Sequence, residues 1–278
     1  MLRWLILVAL ICRASGEAGI VSTLIGYLSG DGGAATSANI DLPTGVVVDS
    51  SENIYIASFY DYKIRKVDST GTITSVVGSG IGYGTAGSTD GAGTSASVYA
   101  AYLLALDSSN NVFIADTNSH KIRKLTIATG IVSTYACTGT ASVTIVNNVA
   151  ATSASCYYPY GVALDSSDNV YIADTYHNQV RKVTASTGII SAFAGTGQTG
   201  TPLGDGGAAT SARMYYPIGI ALDSSGIAAQ TTVTIHDSIY QYSTHRQCLH
   251  QRSWILFDSQ GHCINWHYHY DCRHTSCL

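Results

Sequence analysis

Short apolar runs recur along the first 226 residues, and a polar turn follows almost every run. The stretch "PYGVALDSSDNVYIADTYHNQVRKVTASTGIISAFAG" at 159–195 contains four such runs, and the first two are apolar at both alternating positions. Strands of that kind are covered on both faces, so a neighbouring sheet must lie on each side of them. The turns between the runs are rich in Asp, Ser, Asn and Gly, which favour tight reversals. The pattern predicts units of four short antiparallel strands.

The unit repeats along the chain at a fixed period. An aspartate at the end of the first run recurs every 58 residues, at Asp49, Asp107, Asp165 and Asp223. An arginine of the third run recurs with the same spacing, at Arg65, Arg123 and Arg181. Repeated antiparallel units that each need a neighbour on both faces are typical of a β-propeller. We therefore predict an all-β fold, a β-propeller of four-stranded antiparallel blades.

Three motifs carry a family resemblance. "GDGGAATSA" at 30–38 and 204–212, "DSSDNVYIADTYHNQVRKV" at 165–183 and "TGIISAFAGTG" at 187–197 resemble NHL repeats, the propeller blades of many extracellular sensor and adhesion proteins. The resemblance covers residues 19–226 and implies a ring of six blades. The chain holds three full blades, the start of a fourth, and "GIVSTLIG" at 19–26, which resembles a strand that closes such a ring. We therefore expect an incomplete propeller, with about three to four blades of the six.

The N-terminus and the charge indicate where the protein works. Arg3 precedes an apolar run over 4–12, and Ala14 and Gly16 lie at the −3 and −1 positions of a cleavage site. This is the pattern of a secretory signal peptide at 1–16, so we predict a secreted, extracellular protein. No other run is long enough for a membrane span. A net charge of −4 with only five lysines offers no basic face, so we exclude nucleic acid as a partner.

The repeat stops after Gly226, and the composition changes there. Residues 227–278 hold seven of the nine histidines and four of the seven cysteines, and "GHCINWHYHYDCRHTSC" at 261–277 has the composition of a metal site. Its spacing fits no standard zinc pattern, because C-x2-C pairs are absent. We therefore predict no metal site and no cofactor.

A shifted reading frame explains this tail better than a separate metal domain. Read one nucleotide later, the codons of 265–274 allow Thr-Gly-Ile-Ile-Thr-Thr-Ile-Ala-Gly-Thr, close to "TGIISAFAGT" at 187–196. Removal of two bases of Gly226, the nineteen codons 227–245 and two bases of Arg246, 61 nucleotides in all, restores the fourth blade. We interpret the tail as a retained intron followed by a frameshifted fourth blade. Sequencing the mature transcript across this boundary tests the hypothesis.

The repeated part of the chain offers few candidates for catalysis. His120 and His177 are its only histidines, and a catalytic metal needs about three converging ligands, so we predict that both are turn histidines. An aspartate recurs seven residues before the repeated arginine, in the pairs Asp116–Arg123 and Asp174–Arg181. Repetition at equivalent sites predicts a structural ion pair or hydrogen bond within each blade, and not a single active site. Ser58 replaces the aspartate in the first blade.

The loops between blades supply candidates for a disulfide and for binding. Cys137 and Cys156 bracket the loop between the second and third blades, and we predict a disulfide between them in an oxidising compartment. "SCYYPYG" and "RMYYPIG" place tyrosines at the start of successive blades, namely Tyr157, Tyr158, Tyr160, Tyr215 and Tyr216. These rings suit contact with a protein or a glycan, and they suit the packing of one blade against the next at least as well.

These observations predict a secreted NHL-repeat propeller that acts as a non-catalytic binding or scaffold module, with an extracellular protein or glycan as its partner. Ligands would contact the loops and turns of one face, where side chains are not needed for packing. Two alternatives stay open. One is a propeller hydrolase or lyase whose metal ligands lie in missing blades, and the other is a truncated fragment without a function of its own.

Overall fold

The computed structural model describes residues 30–80, 88–199 and 206–222, together with the backbone of three strands at 233–235, 253–257 and 263–267. The predicted signal peptide at 1–16, the closing strand at 19–26 and most of the tail at 227–278 lie outside the described residues. Targeting by the N-terminus and the shifted reading frame therefore stay predictions.

Four antiparallel β-sheets make up the described part of the chain. The first contains β1 (Gly33–Ala34), β2 (Pro43–Val48), β3 (Ile54–Ser58), β4 (Lys63–Val67) and β5 (Thr72–Val77). The second contains β6 (Gly91–Ala92), β7 (Ala101–Leu106), β8 (Val112–Asp116), β9 (Lys121–Thr126) and β10 (Ile131–Ala136). The third contains β11 (Val149–Ala150), β12 (Pro159–Leu164), β13 (Val170–Asp174), β14 (Gln179–Val183) and β15 (Ile189–Ala194). The fourth contains β16 (Pro217–Gly219), β17 (Val233–Ile235), β18 (Ser253–Phe257) and β19 (Cys263–His267).

The predicted all-β architecture of repeated antiparallel blades is confirmed, with one addition. The first sheet has the order β1-β5-β4-β3-β2, and the next two sheets repeat that order. Each therefore carries a fifth strand of two residues that pairs with the last strand, as Gly33 does with Ile73. Two residues are too few to show an alternating pattern, so these strands could not be predicted from the sequence. The added strand covers backbone groups that an edge strand otherwise leaves open.

The first long strands of the blades lie next to one another. β2 packs against β7, β7 against β12, and β12 against β16. Glycines permit this close approach: a Cβ at Gly45 would lie 2.5 Å from the carbonyl oxygen of Tyr102, and one at Gly161 would overlap that of Ile218. These strands consequently surround a common axis, as in a propeller.

Apolar side chains fill the space between consecutive blades. Between the first two blades the buried residues include Tyr55, Ala57, Ile64, Val77, Leu104, Val112, Ile114, Leu125 and Val132. Between the second and third they include Phe113, Ala115, Ile122, Val162, Val170, Ile172, Val183 and Ile190. β8 and β13 are buried at every residue. That is what the two-faced apolar runs of the sequence predicted.

Helical structure is confined to single 3-10 turns in the described residues. They span Ala35–Ser37, Thr117–Ser119, Ala151–Ser153, Thr175–His177 and Ala209–Ser211. None of the helices in this part of the chain is long and apolar enough to cross a membrane.

Candidate functional site

Two kinds of connection lie at the same end of every blade. They are the loop that precedes the first long strand and the turn that follows the second long strand. In the third blade Pro159, the first residue of β12, pairs with Asp174, the last residue of β13. Because paired antiparallel strands run in opposite directions, the loop before β12 and the turn after β13 lie side by side. Tyr157 and Tyr158 are in that loop, and Tyr176 is in that turn.

Aromatic rings at this end contact one another from blade to blade. The centroid of the Tyr158 ring lies 4.3 Å from that of His120 in the second blade and 4.9 Å from that of Tyr176. The Tyr176 ring in turn lies 4.8 Å from Tyr216, and Tyr216 lies 4.4 Å from Tyr215. All four pairs are edge-to-face or tilted, and aromatic rings favour edge-to-face contacts because of their quadrupoles.

The inner strands continue this surface toward the first blade. The rings of Tyr102 and Tyr160, at the second positions of β7 and β12, are 4.8 Å apart. Phe59 lies 6.3 Å from Tyr102 and 5.0 Å from Tyr60. We call the whole surface the tyrosine face and define it by Phe59, Tyr60, Tyr102, His120, Tyr157, Tyr158, Tyr160, Tyr176, Tyr215 and Tyr216. All five tyrosines singled out in the sequence belong to it.

The rings of the tyrosine face divide into packed and exposed ones. Tyr157, Tyr158 and Tyr160 are half-buried, so they pack blade against blade as one of the two interpretations expected. Tyr60, Tyr176 and Tyr215 are 55%, 42% and 41% exposed, and each of them contacts a neighbouring ring. Binding through these exposed rings stays a proposal.

Backbone geometry holds two of these tyrosines firmly. Tyr158 and Tyr216 have left-handed φ angles of 49° and 47°, an unusual conformation for a residue with a side chain. The backbone N–H of Tyr158 donates to Nδ1 of His120 over 3.1 Å, and that of Tyr216 donates to Oδ1 of Asn178 over 3.0 Å. A turn side chain of one blade thus anchors the loop of the next.

Burial favours the neutral forms of Tyr160, Tyr176 and His120 on this face. Burial raises the pKa of the Tyr160 phenol, and the hydroxyls of Tyr176 and Tyr102 raise it further. Burial also raises the pKa of Tyr176. Burial lowers the pKa of His120, although the charge of Asp174 opposes this. A neutral His120 leaves Nδ1 free to accept the N–H of Tyr158.

Both histidines lie in turns, as predicted, but they have different partners. His177 is the last residue of the 3-10 turn Thr175–His177, whereas His120 follows the turn Thr117–Ser119. The side chain of His177 is buried and lies 2.8 Å from Asp174. No group of three or more His, Cys, Asp or Glu residues that could hold a metal ion occurs in the described ranges.

The predicted ion pairs within blades are confirmed. Oδ2 of Asp116 lies 3.3 Å from Nη1 of Arg123, and all four side chains of the two pairs are fully buried. In the third blade the corresponding distance, from Asp174 to Arg181, is 3.2 Å. Burial raises the pKa of Asp116, and the positive charge of Arg123 opposes that rise. The pairs hold β8 to β9 and β13 to β14, so their role is structural.

In the first blade the buried arginine has a different acidic partner, because the equivalent aspartate is absent. Ser58 stands where the other blades have aspartate, and its hydroxyl donates to a carboxylate oxygen of Asp61. Arg65 pairs with Asp31 instead, over 2.7 Å. A polar cavity of about 170 Å³ is lined by Asp31, Asn39, Asp61, Lys63 and Arg65. Sequence reasoning missed this cavity, because its walls come from segments that are distant in the sequence, as Asp31 and Arg65 are at a separation of 34 residues.

Cys137 and Cys156 lie at disulfide-bonding distance, with Cα atoms 5.4 Å apart. Both are fully buried between the second and third blades. Cys137 has a φ of 72°, and the equivalent positions in the neighbouring blades are Gly78 and Gly195, with φ of 97° and 88°. The cysteine therefore occupies a backbone position that elsewhere in this chain is given to glycine.

The repeated sheets around a common axis define a β-propeller type of protein. Residues 157–183 match the NHL repeat, so the predicted resemblance to NHL-repeat propellers is confirmed. No curated protein matches the chain significantly.

Solved structures share the fold at low sequence identity. A protein of unknown function from Bacteroides thetaiotaomicron VPI-5482 is 17% identical, with a TM-score of 0.52, over 80% of this chain and 46% of that chain. An auxiliary nutrient binding protein from Bacteroides ovatus ATCC 8483 is 17% identical, with a TM-score of 0.50, over 82% and 48%. Virginiamycin B lyase from Staphylococcus aureus is 16% identical, with a TM-score of 0.46, over 81% and 55%. This chain thus spans about half the length of the structures it matches.

Proposed function

We propose that this chain is a secreted, non-catalytic recognition module that binds an extracellular protein or glycan through the tyrosine face. The observation that carries the proposal is the exposure of Tyr60, Tyr176 and Tyr215 on a surface where each ring is supported by another ring. A tyrosine whose ring packs against another ring offers a large, amphipathic contact area. Its side chain loses little entropy when a ligand binds. Tyrosine is enriched among the interface residues that contribute most to the free energy of binding.

Secretion is supported by the cysteine pair. Cys137 and Cys156 lie at disulfide-bonding distance, and disulfides persist mainly in oxidising compartments. The partner class follows from the chemistry of the face. Rings, phenol hydroxyls and a neutral imidazole suit the apolar patches and hydroxyl groups of a glycan or a protein surface, and they offer no concentration of charge for a polyanion.

A binding screen tests the proposal. The wild-type chain and the variant Tyr176→Ser/Tyr215→Ser are passed over immobilised extracellular proteins and glycans, and binding is measured by surface plasmon resonance. We expect the wild type to bind at least one class, and the variant to bind that ligand about 30-fold or more weakly, since a central tyrosine contributes about 2 kcal/mol or more.

A matched control removes exposed apolar side chains from the other end of the blades. Ile127 and Ile189 are 39% and 37% exposed and flank the turns between the third and fourth long strands. The variant Ile127→Ser/Ile189→Ser should bind like the wild type. Equal loss in both variants, or no binding by the wild type to either class, contradicts the proposal. Chemical conversion of a bound ligand would favour the enzyme alternative.

A further inference from the structure

His177 has an unusual set of hydrogen-bond partners for a buried imidazole. Its Nδ1 lies 2.8 Å from a carboxylate oxygen of Asp174, and its Nε2 lies 2.7 Å from the carbonyl oxygen of Ser142. Both partners are acceptors only. A neutral imidazole carries one N–H and one lone pair, so in either tautomer one nitrogen would face an acceptor lone pair at hydrogen-bond distance. Only the imidazolium ion donates to both.

In the part of the chain that the structure describes, the titratable or charged groups recorded near this imidazole are Asp174, Arg181, His120 and Tyr157. The Asp174 oxygen that it contacts also accepts from Arg181 over 3.2 Å. His120 is close enough for its pKa to respond to the charges of both His177 and Asp174. The Tyr157 ring lies 5.9 Å away. The loop on the other side, residues 138–147, contains no charged or titratable side chain. The charge state of His177 therefore acts on that loop through the Ser142 carbonyl group.

The loop at 138–147 connects β10 to β11, and its Ser142 contacts His177 in the turn that also contains Tyr176. Its far end is tied to the blade by Arg181, which donates to the carbonyl oxygen of Val146 and to Oδ1 of Asn147. Its middle is tied by His177 through Ser142, next to Val143, whose side chain is 79% exposed. In the second blade Ser119 occupies the position equivalent to His177, immediately before the αL residue of the turn.

We propose that His177 is a proton-operated latch: as an imidazolium it fastens the loop at 138–147 to the third blade, and loss of the proton on Nε2 releases the Ser142 carbonyl group. The Nδ1–H group keeps its hydrogen bond to the Asp174 carboxylate. The hydrogen bond that breaks is therefore the one from Nε2 to the Ser142 carbonyl oxygen. Histidine is the side chain suited to change charge in the range between endosomal and extracellular pH.

His120 responds in the opposite direction. Its Nδ1 accepts the backbone N–H of Tyr158, which requires that nitrogen to be unprotonated. Acidification therefore strengthens the hydrogen bond from His177 to the Ser142 carbonyl oxygen. It weakens the hydrogen bond from the Tyr158 N–H to Nδ1 of His120. The same change of pH thus acts in opposite senses on two neighbouring parts of one surface.

Hydrogen exchange on the full chain tests the latch. Amide protection in 142–147 is measured by mass spectrometry at about pH 5.5 and about pH 8.5, spanning the histidine range, and is corrected for intrinsic exchange. We expect protection to fall about tenfold at the higher pH, as for the loss of one charge-assisted hydrogen bond. Nitrogen-15 NMR of labelled histidine should show both ring nitrogens of His177 protonated at the lower pH.

Two variants complete the test. His177→Ser installs the residue of the second blade and should leave the loop weakly protected at both pH values. His120→Asn installs the residue of the third blade and should keep the pH-dependent protection. Wild-type protection that does not change with pH overturns the proposal, as does a single ring proton on His177 at the lower pH. These wild-type measurements decide the matter even if His177→Ser fails to fold.

Discussion

Removal of the Asp174 carboxylate should destabilise the chain strongly. The side chain is fully buried and accepts three hydrogen bonds: from the Tyr157 backbone N–H over 2.7 Å, from Arg181 over 3.2 Å, and from the ring of His177. The substitution Asp174→Ala leaves a buried guanidinium group without its counter-ion and a backbone N–H without its acceptor.

The size of the loss follows from what Arg181 retains. Breaking a buried ion pair by removing one partner costs about 3–5 kcal/mol. Arg181 still donates to the Ser155 carbonyl oxygen and to Oδ1 of Asn147 in the variant, so we expect the lower end, about 3 kcal/mol. Asp174→Asn keeps a neutral acceptor for the Tyr157 N–H. It should therefore recover about 1 kcal/mol of this loss, the net contribution of one hydrogen bond.

Urea unfolding followed by circular dichroism gives the free energies. The matched control is Lys182→Met, because Lys182 lies 3.9 Å from Asp165 and its side chain is 28% exposed. A partly exposed pair of this kind contributes less than about 1 kcal/mol. If Asp174→Ala loses no more than Lys182→Met, the buried pair does not stabilise the blade, and the reasoning is refuted.

Three further changes test other parts of the fold. Gly161→Ala places a methyl group against the carbonyl oxygen of Ile218, so we expect a loss of about 1–3 kcal/mol in urea unfolding. Replacement of Cys137 and Cys156 by serine removes a link across 19 residues and should cost about 3 kcal/mol, measured by thermal unfolding. Burial raises the pKa of Tyr55 to about 12. Because an unfolded phenol ionises near pH 10, this contribution to stability is complete below about pH 10 and is lost as the pH rises through 12, which urea titrations at alkaline pH will show.

Each of these changes has a control within the same chain. Gly33→Ala should be tolerated, since the nearest atom to its new Cβ lies 3.9 Å away and its φ is not left-handed. A reducing agent added to the wild type should reproduce the serine double variant, and an unchanged melting temperature would argue against a stabilising disulfide. Tyr55→Phe should flatten the alkaline loss of stability, while an unaltered slope would assign that loss to other groups.

Local pairings could be predicted from the sequence, and distant ones could not. Asp174 and Arg181 are seven residues apart on two strands of one hairpin, so their equivalent spacing in two blades was enough to pair them. Ser142 and His177 are 35 residues apart and meet only because two loops converge. No pattern in the sequence encodes that distance. The tyrosines were recognisable by repetition, whereas the division into packed and exposed rings depends on how the blades are stacked.

Differences between equivalent positions separate what the fold requires from what one blade has acquired. Buried arginines recur in all three five-stranded blades, so their role is in the blade itself. Other positions vary between blades: Cys137 stands where both neighbouring blades have glycine, and the position of His177 is Asp61 in the first blade and Ser119 in the second. Cys137 directly precedes the loop at 138–147, and His177 bonds to the carbonyl oxygen of Ser142 within that loop. Because the blade folds without either residue elsewhere in the chain, their presence at one loop favours a role for that loop beyond holding the propeller together.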